Sequence, residues 1–581
     1  MHPVWFSCLL LIWFCVSNEQ ADAAKALSLD SLFPSDRVIE VEVRIDEKDW
    51  DQLRYQTRDR GAIWERQFGP MESPFSYFDA QVTIDGVAFP NVGLRKKGFI
   101  GSLSDTRPSL KVKLNHKLKG GNLGGLTTLT FNNNRQDTGL VSQYMTYAMF
   151  NRVGSPAPRC AFARVTVNGR NLGVYSHVET VRKPLLLREF GTDQGTLYEG
   201  TAVDFEPGWE KSLELKTGAD EPGRKKIIEI TQALQGSGRY IVSSEAKAKA
   251  WVPRNGDDQQ RWMNPDFDDS EWITGVNGMG YEMQRGYEAF IHDPFDFGTL
   301  MHNRCSSAYL RLPFEVRNLD LLKAEGVLTL RMRFDDGFVA YLNGERIASA
   351  NAPKSLRWNG AATDSHEASG AMVAFPISDH ADKLREGRNV LAVQGFNNSV
   401  SSSDMLITAG LQLETNSKLE ALAEHVDFDS FYKFWAVEGL LGFWDGYSGN
   451  RNNYFVYLNP KTDKMHFLPW GADSLFTNES RIHRDTGRPK SVKTRGALAE
   501  HLWRYKSERD RYGRTISGIL EDFWDESVII DEMDRFAALL RPYVGSEQLR
   551  FDWKLAEMRR FVLHRRAEVM SEVRNDFRVE Q

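Results

Sequence analysis

Cysteine is scarce in this chain, and so are long apolar runs and any excess of basic charge. Of its four cysteines, Cys8 and Cys15 lie near the N-terminus and only Cys160 and Cys305 remain, far apart. That spacing excludes a disulfide framework and a cysteine-based metal site, and both residues read as small buried hydrophobes. The formal net charge is -6. Short basic runs such as Arg95-Lys96-Lys97 and Arg224-Lys225-Lys226 read as solvated faces, and with no basic field no nucleic-acid partner is expected. Beyond the N-terminus no stretch is apolar enough to span a bilayer, and no repeat of solenoid period is present.

What is there begins with an apolar run from Val4 to Val16, followed by Asn18, Glu19 and the small-x-small triplet Ala21-Asp22-Ala23. Its length suits the h-region of a secretory signal over 1–23; an uncleaved anchor is the rival reading, disfavoured by the polar residues so close behind the run. The expectation is an exported protein, periplasmic, extracellular or at the cell surface, with no transmembrane segment after signal removal. The remaining chain, 41% apolar and 26% charged, is globular and too long at 581 residues for one core.

Residues 38–49 and 80–88 largely alternate, with Asp85-Gly86 as a hairpin turn. In the strand around 110–114, Leu110, Val112 and Leu114 share one face, so Lys111 and Lys113 project together from the other. Helical periodicity over 139–153, an Asn168-Gly169 hairpin closed by Glu179 and a helix over 183–190 complete an α+β lobe over 38–236. From 237 to 415 the character changes to short alternating strands rich in Trp, Gly, Asp and Asn, which predicts a self-contained β-sandwich. Helical patterning resumes over 416–575, so the sandwich reads as inserted into the other domain at a surface loop.

Residues 441–476, LGFWDGYSGNRNNYFVYLNPKTDKMHFLPWGADSLF, pattern as helix, polar loop, hairpin and acidic loop. Asp445, Asn450, Asn452, Asn453 and Asp473 fall at element ends, where oxygen ligands can converge on magnesium or calcium. Asn and Asp also serve simply as turn formers. Asp445 is the hardest to dismiss in that way, because a carboxylate at the C-terminal end of a helix has no capping role.

Together these segments resemble the spore-coat CotH kinase family. The resemblance is carried by Ile84-Asp85-Gly86, by Val92 through Gly98 with Ser102, and by Pro108-Ser109-Leu110-Lys111-Val112-Lys113. It continues through Phe131-Asn132-Asn133-Asn134 with Asp137, Val167-Asn168-Gly169 to Val178-Glu179, and Asp445-Gly446-Tyr447 through Asn452-Asn453-Tyr454 to Pro469-Trp470. It covers about 38–236 and 416–575, in order. The resemblance implies an atypical protein-kinase-like fold and ATP-dependent phosphorylation of Ser or Thr hydroxyls on secreted or surface proteins, with Mg2+ or Mn2+.

The requirements of phosphoryl transfer then distribute roles. Lys111 or Lys113 would neutralise phosphates with Glu179 as the partner that holds it, Arg95 and Lys97 would flank a loop covering the nucleotide, and Asp445 would be the catalytic aspartate. Asn450 has the spacing of a kinase catalytic-loop asparagine, whereas Asn453 better fits the family's Asn-Tyr pattern, and both stay open as metal ligands. Where the family has Pro-Trp-Asp-x-Asp, this chain has Gly471, leaving Asp473 as the metal carboxylate. The alternative is therefore a pseudokinase scaffold or adhesion protein. The inserted region resembles a galactose-binding-like jelly roll, through 265–272, 278–281, 335–337, 341–345, Asn397 and 402–404. That resemblance implies carbohydrate as a partner and a structural Ca2+. Trp262, Trp272 and Trp358 would stack on a sugar, although buried core is the commoner fate of tryptophan.

Overall fold

Two turns start the architecture. Asp85 and Gly86, and likewise Asn168 and Gly169, all take positive φ, which two-residue hairpin turns of this kind require and which Asn, Asp and Gly tolerate best. The structure, a computed structural model, describes residues 27–59, 69–71, 73–235, 239–258, 260–317, 319, 326–368, 372–415, 417–477 and 489–575. The expected signal over 1–23 lies outside them. Two compact units emerge. One contains the residues up to Gln232, Ala423–Ala499 and the residues from Tyr512 onward; the other contains Ala233–Leu422 with Glu500–Arg511.

In the first unit the two hairpins belong to a closed barrel. Its strands are β1 (Ile39–Ile45), β2 (Phe78–Ile84), β3 (Val87–Lys97), β4 (Ser109–Lys113), β5 (Thr128–Asn132), β6 (Cys160–Val167) and β7 (Arg170–Val178). They close in the order β1-β2-β3-β4-β5-β7-β6, the β1–β6 pair parallel and the others antiparallel. Alternation fills the interior: Val41, Val43, Leu94, Leu110, Val112, Leu129, Phe131 and Val165 form one buried cluster, each contributing about 1.5–3 kcal/mol of burial. Lys96 shares the inward phase with Leu94, and its ammonium donates to the carbonyls of Arg54 and Gln56, satisfying carbonyls that the helix Glu47–Tyr55 leaves open at its end. The outward phase of β3–β5 carries Arg95 opposite Lys111, Lys97 opposite Ser109 and Lys111 opposite Thr130.

Beyond the barrel, β8 (Thr196–Gly200) and β9 (Glu214–Thr217) join the later hairpin Tyr454–Asn459 and Lys464–Pro469 in a four-stranded antiparallel sheet. The helix Phe428–Leu441 precedes that hairpin. It starts on Asp427, whose carboxylate accepts from Ser430 N, and stops at Gly442, with φ +65. Arg565, fully buried on the helix Gln548–Asn575, donates to the carbonyls of Gly439 and Leu440 and so completes the same helix end.

The second unit is all-β in its sheets. One sheet runs β10 (Arg239–Val242), β20 (Asp404–Thr415), β15 (Gly326–Phe334), β18 (Val373–Pro376), with β13 (Met279–Glu282) also on β20. The other runs β12 (Ile273–Val276), β11 (Lys247–Trp251), β14 (Ser307–Val316), β19 (Gly387–Phe396), β16 (Gly337–Leu342), β17 (Glu345–Ala350). Leu310, Leu330, Met332, Phe338, Val393 and Ile407 join in its main core. Trp262, stacked on Tyr309 at 4.2 Å, and Trp272 belong to a second buried cluster against which half-buried Trp358 packs. The first two tryptophans are therefore core, with no free face for a sugar. Cys160 and Cys305 are both buried free thiols. No helix among the described residues is long and apolar enough to cross a membrane.

Candidate functional site

The outward phase of β3–β5 faces a cavity of about 600 Å³. Arg95, Lys97, Lys111, Thr130 and Asn132 form its barrel wall, with Gly98, Phe99, Gly101 and Ser102 from the loop after β3. Glu199 and Thr201 at the end of β8, and Glu214 and Lys216 on β9, line another side. Asp445, Asn452, Asn453, Phe455, Trp470, Gly471 and Asp473 come from the hairpin 454–469 and its two flanking loops. Strand ends and turns thus aim polar groups at one space while the paired strands hold them.

The cationic wall is crowded. Lys97 donates to Asn132 Oδ1 at 2.5 Å and lies 5.4 Å from the Trp470 ring centre, while Arg95 donates to Ser73 Oγ at 2.5 Å beside the Tyr77 ring. Burial lowers the Lys97 ammonium to about 8 against the pull of Glu199 and Asp473. Burial, with repulsion from Arg95, Arg182 and Lys97, lowers Lys111 to about 7, Glu199 again opposing. Glu199 itself is held below the usual carboxylate range: burial pushes it up, but Lys216 at 2.6 Å, Lys111 and Arg182 outweigh that. Amines whose charge burial disfavours, and which face into the cavity, are suited to a polyanionic ligand.

Across the cavity, Asp445 is held by three amides. Its Oδ1 accepts from Asn450 Nδ2 at 2.7 Å and Asn452 Nδ2 at 3.2 Å; Asn453 Nδ2 reaches its Oδ2 at 2.9 Å and its carbonyl oxygen at 3.1 Å. Asn453 has φ +52 and Gly471 φ +56. A Cβ on Gly471 would run into the Asn453 amide, with Cγ at 2.7 Å. Asp473 accepts from Gln136 Nε2 at 3.1 Å. Burial, reinforced by the Asp445 charge, pushes the Asp473 carboxyl up to about 7. Two carboxylates lining one cavity, with amide oxygens at hand, form a donor set that a hard divalent cation fits.

Of the residues singled out from the sequence, Arg95, Lys97, Lys111, Asp445, Asn453 and Asp473 line this one cavity, and Lys113, Glu179 and Asn450 do not. Lys113 lies on the same outward phase, 5.6 Å from the Tyr77 ring centre. Glu179 needs correcting as the lysine's partner: fully buried, it is clamped by Arg188 at 2.7 Å and Arg159 at 3.2 Å. The carboxylate facing Lys111 is Glu199, which sequence reasoning missed because nothing in Thr196–Gly200 sets it apart from any polar residue of a half-buried strand. Asn450 holds Asp445 in place from outside the cavity, while Asn452 and Asn453, the other two amides on Asp445, lie in its wall.

A second acidic group lies in the other unit. Oxygen atoms of Asp335, Glu367 and Asp404 all come within 4.8 Å of one another, an arrangement that could bind a metal ion. The Tyr287 hydroxyl sits 2.8 Å from Asp335 Oδ2 and 2.9 Å from Glu367 Oε2, and with a single proton it can donate to only one of them. Burial and the neighbouring Asp336, Asp404 and Glu367 push Asp335 up to about 7, although the Tyr287 hydrogen bond opposes them.

No curated protein matches the chain. Among solved structures it is similar to a calcium-binding mutant of Bacteroides uniformis β-glucuronidase 2, with 14% identity over 29% of this chain and 18% of that one, at a TM-score of 0.18. It is also similar to an uncultured Clostridium β-glucuronidase (11%, 31% and 30%, 0.19) and to Bifidobacterium dentium β-glucuronidase (15%, 28% and 21%, 0.19). The chain thus spans less than a third of each of these enzymes, and likenesses so slight do not bear on fold or activity. The family model described as CotH kinase protein matches residues 94–257 and 369–572, which contain every residue of the cavity wall from Arg95 to Asp473. With more than half of its length matched, and with the matched segments supplying both the cationic and the acidic side of the cavity, the chain belongs to the CotH kinase protein family.

Proposed function

We propose that the protein is an exported kinase that transfers the γ-phosphate of ATP to Ser or Thr hydroxyls of secreted or surface proteins. The observation that carries this reading is the facing of Lys97, Lys111 and Arg95 by Asp445 and Asp473 across a single cavity. In it, Lys111, oriented by Glu199, and Lys97 bind the phosphates, and Arg95 closes the same wall. Asp445, immobilised by three amides, orients the acceptor hydroxyl and takes its proton on a carboxylate oxygen as the oxygen attacks the γ-phosphorus and the bond to the β,γ-bridging oxygen breaks, releasing ADP. Asp473, with the oxygen of Asn453, would hold Mg2+ or Mn2+, which supplies charge neutralisation on the phosphates. Asn450 and Asn452 keep Asp445 turned to the acceptor.

A second reading, a ligand-binding scaffold without catalysis, draws on Gly471, where the family pattern has an aspartate. Radiolabelled ATP with Mg2+ or Mn2+, given to the purified mature protein beside Asp445→Ala and Asp473→Ala, separates the two. Label incorporated by the wild type and lost in both variants supports the kinase; no incorporation and no nucleotide-dependent thermal shift refutes it. In the second unit the acidic group Asp335, Glu367 and Asp404 is assigned to a structural Ca2+, whose charge would relieve the crowded carboxylates. A surface partner, protein or carbohydrate, is assigned to the same unit.

A further inference from the structure

Between the helix Phe428–Leu441 and the loop that carries Asp445 there is one buried carboxylate that the mechanism above does not use. Glu438 is fully buried. Its Oε1 accepts from Tyr447 N at 2.9 Å, its Oε2 from Ser448 N at 2.8 Å, and the Ser448 hydroxyl donates to the same Oε2. Among the described residues no Lys or Arg pairs with it; burial pushes its carboxyl up to about 7 against these three hydrogen bonds. Burying a carboxylate without a counter-ion is costly, so its three donors, all drawn from two consecutive loop residues, account for its place.

Those two residues open the short helix Tyr447–Asn450, and the backbone on its C-terminal side hangs from that turn. Asn450 N and Asn452 N both bond to the Gly446 carbonyl, at 2.9 and 3.3 Å, and Arg451 N to that of Tyr447 at 2.8 Å. The backbone that Glu438 holds therefore sets where the Asn450 and Asn452 amides meet Asp445, while Asn453, whose carbonyl accepts from Trp470 N, is held by the hairpin. Gly446 is shaped to this contact as well: a Cβ there would run into Glu438 Oε1, with Cδ at 2.9 Å. Both side-chain oxygens must accept, which a glutamine, with an NH2 turned toward a backbone N–H in place of one of them, does not allow.

We propose that Glu438 is the positioning residue of the Asp445 loop: through Tyr447 and Ser448 it fixes the turn from which the Asn450 and Asn452 amides aim Asp445, without touching nucleotide or acceptor. The inference rests on the kinase reading of the cavity. It separates from a merely structural role because, among the described residues, the barrel wall that binds phosphates shares no hydrogen bond with Glu438, so turnover and nucleotide binding should part company.

The experiment measures kcat and KM for ATP, together with Tm, for the wild type, Glu438→Gln, Gly446→Ala and Ser448→Ala. Glu438→Gln and Gly446→Ala should each lower kcat about 10- to 100-fold, the scale of a small misplacement of a reacting group, with KM for ATP within about twofold. Ser448→Ala, which removes the hydroxyl donor and leaves both backbone donors, should lose less and remain folded. Unchanged kcat in Glu438→Gln and Gly446→Ala overturns the inference, as does a loss fully explained by the unfolded fraction read from Tm. An inactive wild type overturns instead the kinase reading on which it stands.

Discussion

Replacing Gly471 with aspartate, the residue the family pattern carries after Pro-Trp, should damage the site rather than complete it. Gly471 has φ +56, a region that costs a residue with a side chain about 1–2 kcal/mol. Any Cβ there also displaces the Asn453 amide, which bonds to Asp445 Oδ2 at 2.9 Å and to its carbonyl at 3.1 Å. A bond to a charged acceptor contributes about 1.5–3 kcal/mol and a neutral one about 0.5–1.5, so Gly471→Asp should lose roughly 3 kcal/mol or more of local order around Asp445. Gly471→Ala carries the same backbone and steric cost without the carboxylate and is the control. Thermal denaturation with and without ATP and Mg2+, beside label transfer, should find both variants less stable and slower than wild type. A Gly471→Asp protein at least as stable as wild type and faster in transfer, with Gly471→Ala impaired, would refute this reasoning and mark position 471 as a lost metal ligand.

Nucleotide binding should take up protons: Lys111 near 7 and Lys97 near 8 regain charge beside phosphate, so affinity should fall as pH rises from 7 to 9. Calorimetry in buffers of different ionisation enthalpy reads that uptake, and Lys111→Met should reduce it. Asp473→Asn should abolish transfer yet raise Tm at pH 8. A carboxyl held up to about 7 in the folded chain and near the ordinary ~3.9 in the unfolded one binds its proton more tightly when folded, so stability falls as pH rises between those values. The amide removes that loss, and an unchanged Tm difference between pH 5 and 8 would contradict the burial of Asp473. Calcium should stabilise the full chain by about 2.7 kcal/mol at a hundredfold excess over Kd, read as a rise in Tm that chelation reverses. Asp335→Asn with Asp404→Asn should abolish the shift.

The hairpins at Asp85-Gly86 and Asn168-Gly169 were legible because a positive-φ pair has few sequence solutions, and the helix over 183–190 because its apolar spacing leaves one face. Alternation likewise identified Lys111 and Lys113 as sharing a strand face. It could not separate them, since the difference lies in what each meets across the barrel surface: the cavity for one, the Tyr77 ring for the other. Glu179 misled for a related reason. It closes a hairpin, a place where carboxylates are commonly solvated, yet Arg159 from across the same hairpin and Arg188 from the helix that follows both close on it.

The sequence by itself determined the local geometry and the family: strand phase, turn positions, the polar ends of residues 441–476, and the ordered series of motifs in which Asp445 stands. Those properties depend on neighbours a few residues away. Tertiary structure alone decided the site's membership. Glu199 rather than Glu179 faces Lys111, Asn450 supports Asp445 while Asn453 enters the cavity wall, Glu438 clamps the loop from a buried helix, and Gly471 is kept bare because the Asn453 amide fills the space beside it. The physical reason is that a contact's identity depends on the packing: Asn450 and Glu438 find their partners within ten residues but only on the folded turn, whereas Gln136 meets Asp473 across 337 residues and Glu199 meets Lys111 only once the barrel closes and β8 pairs with the later hairpin.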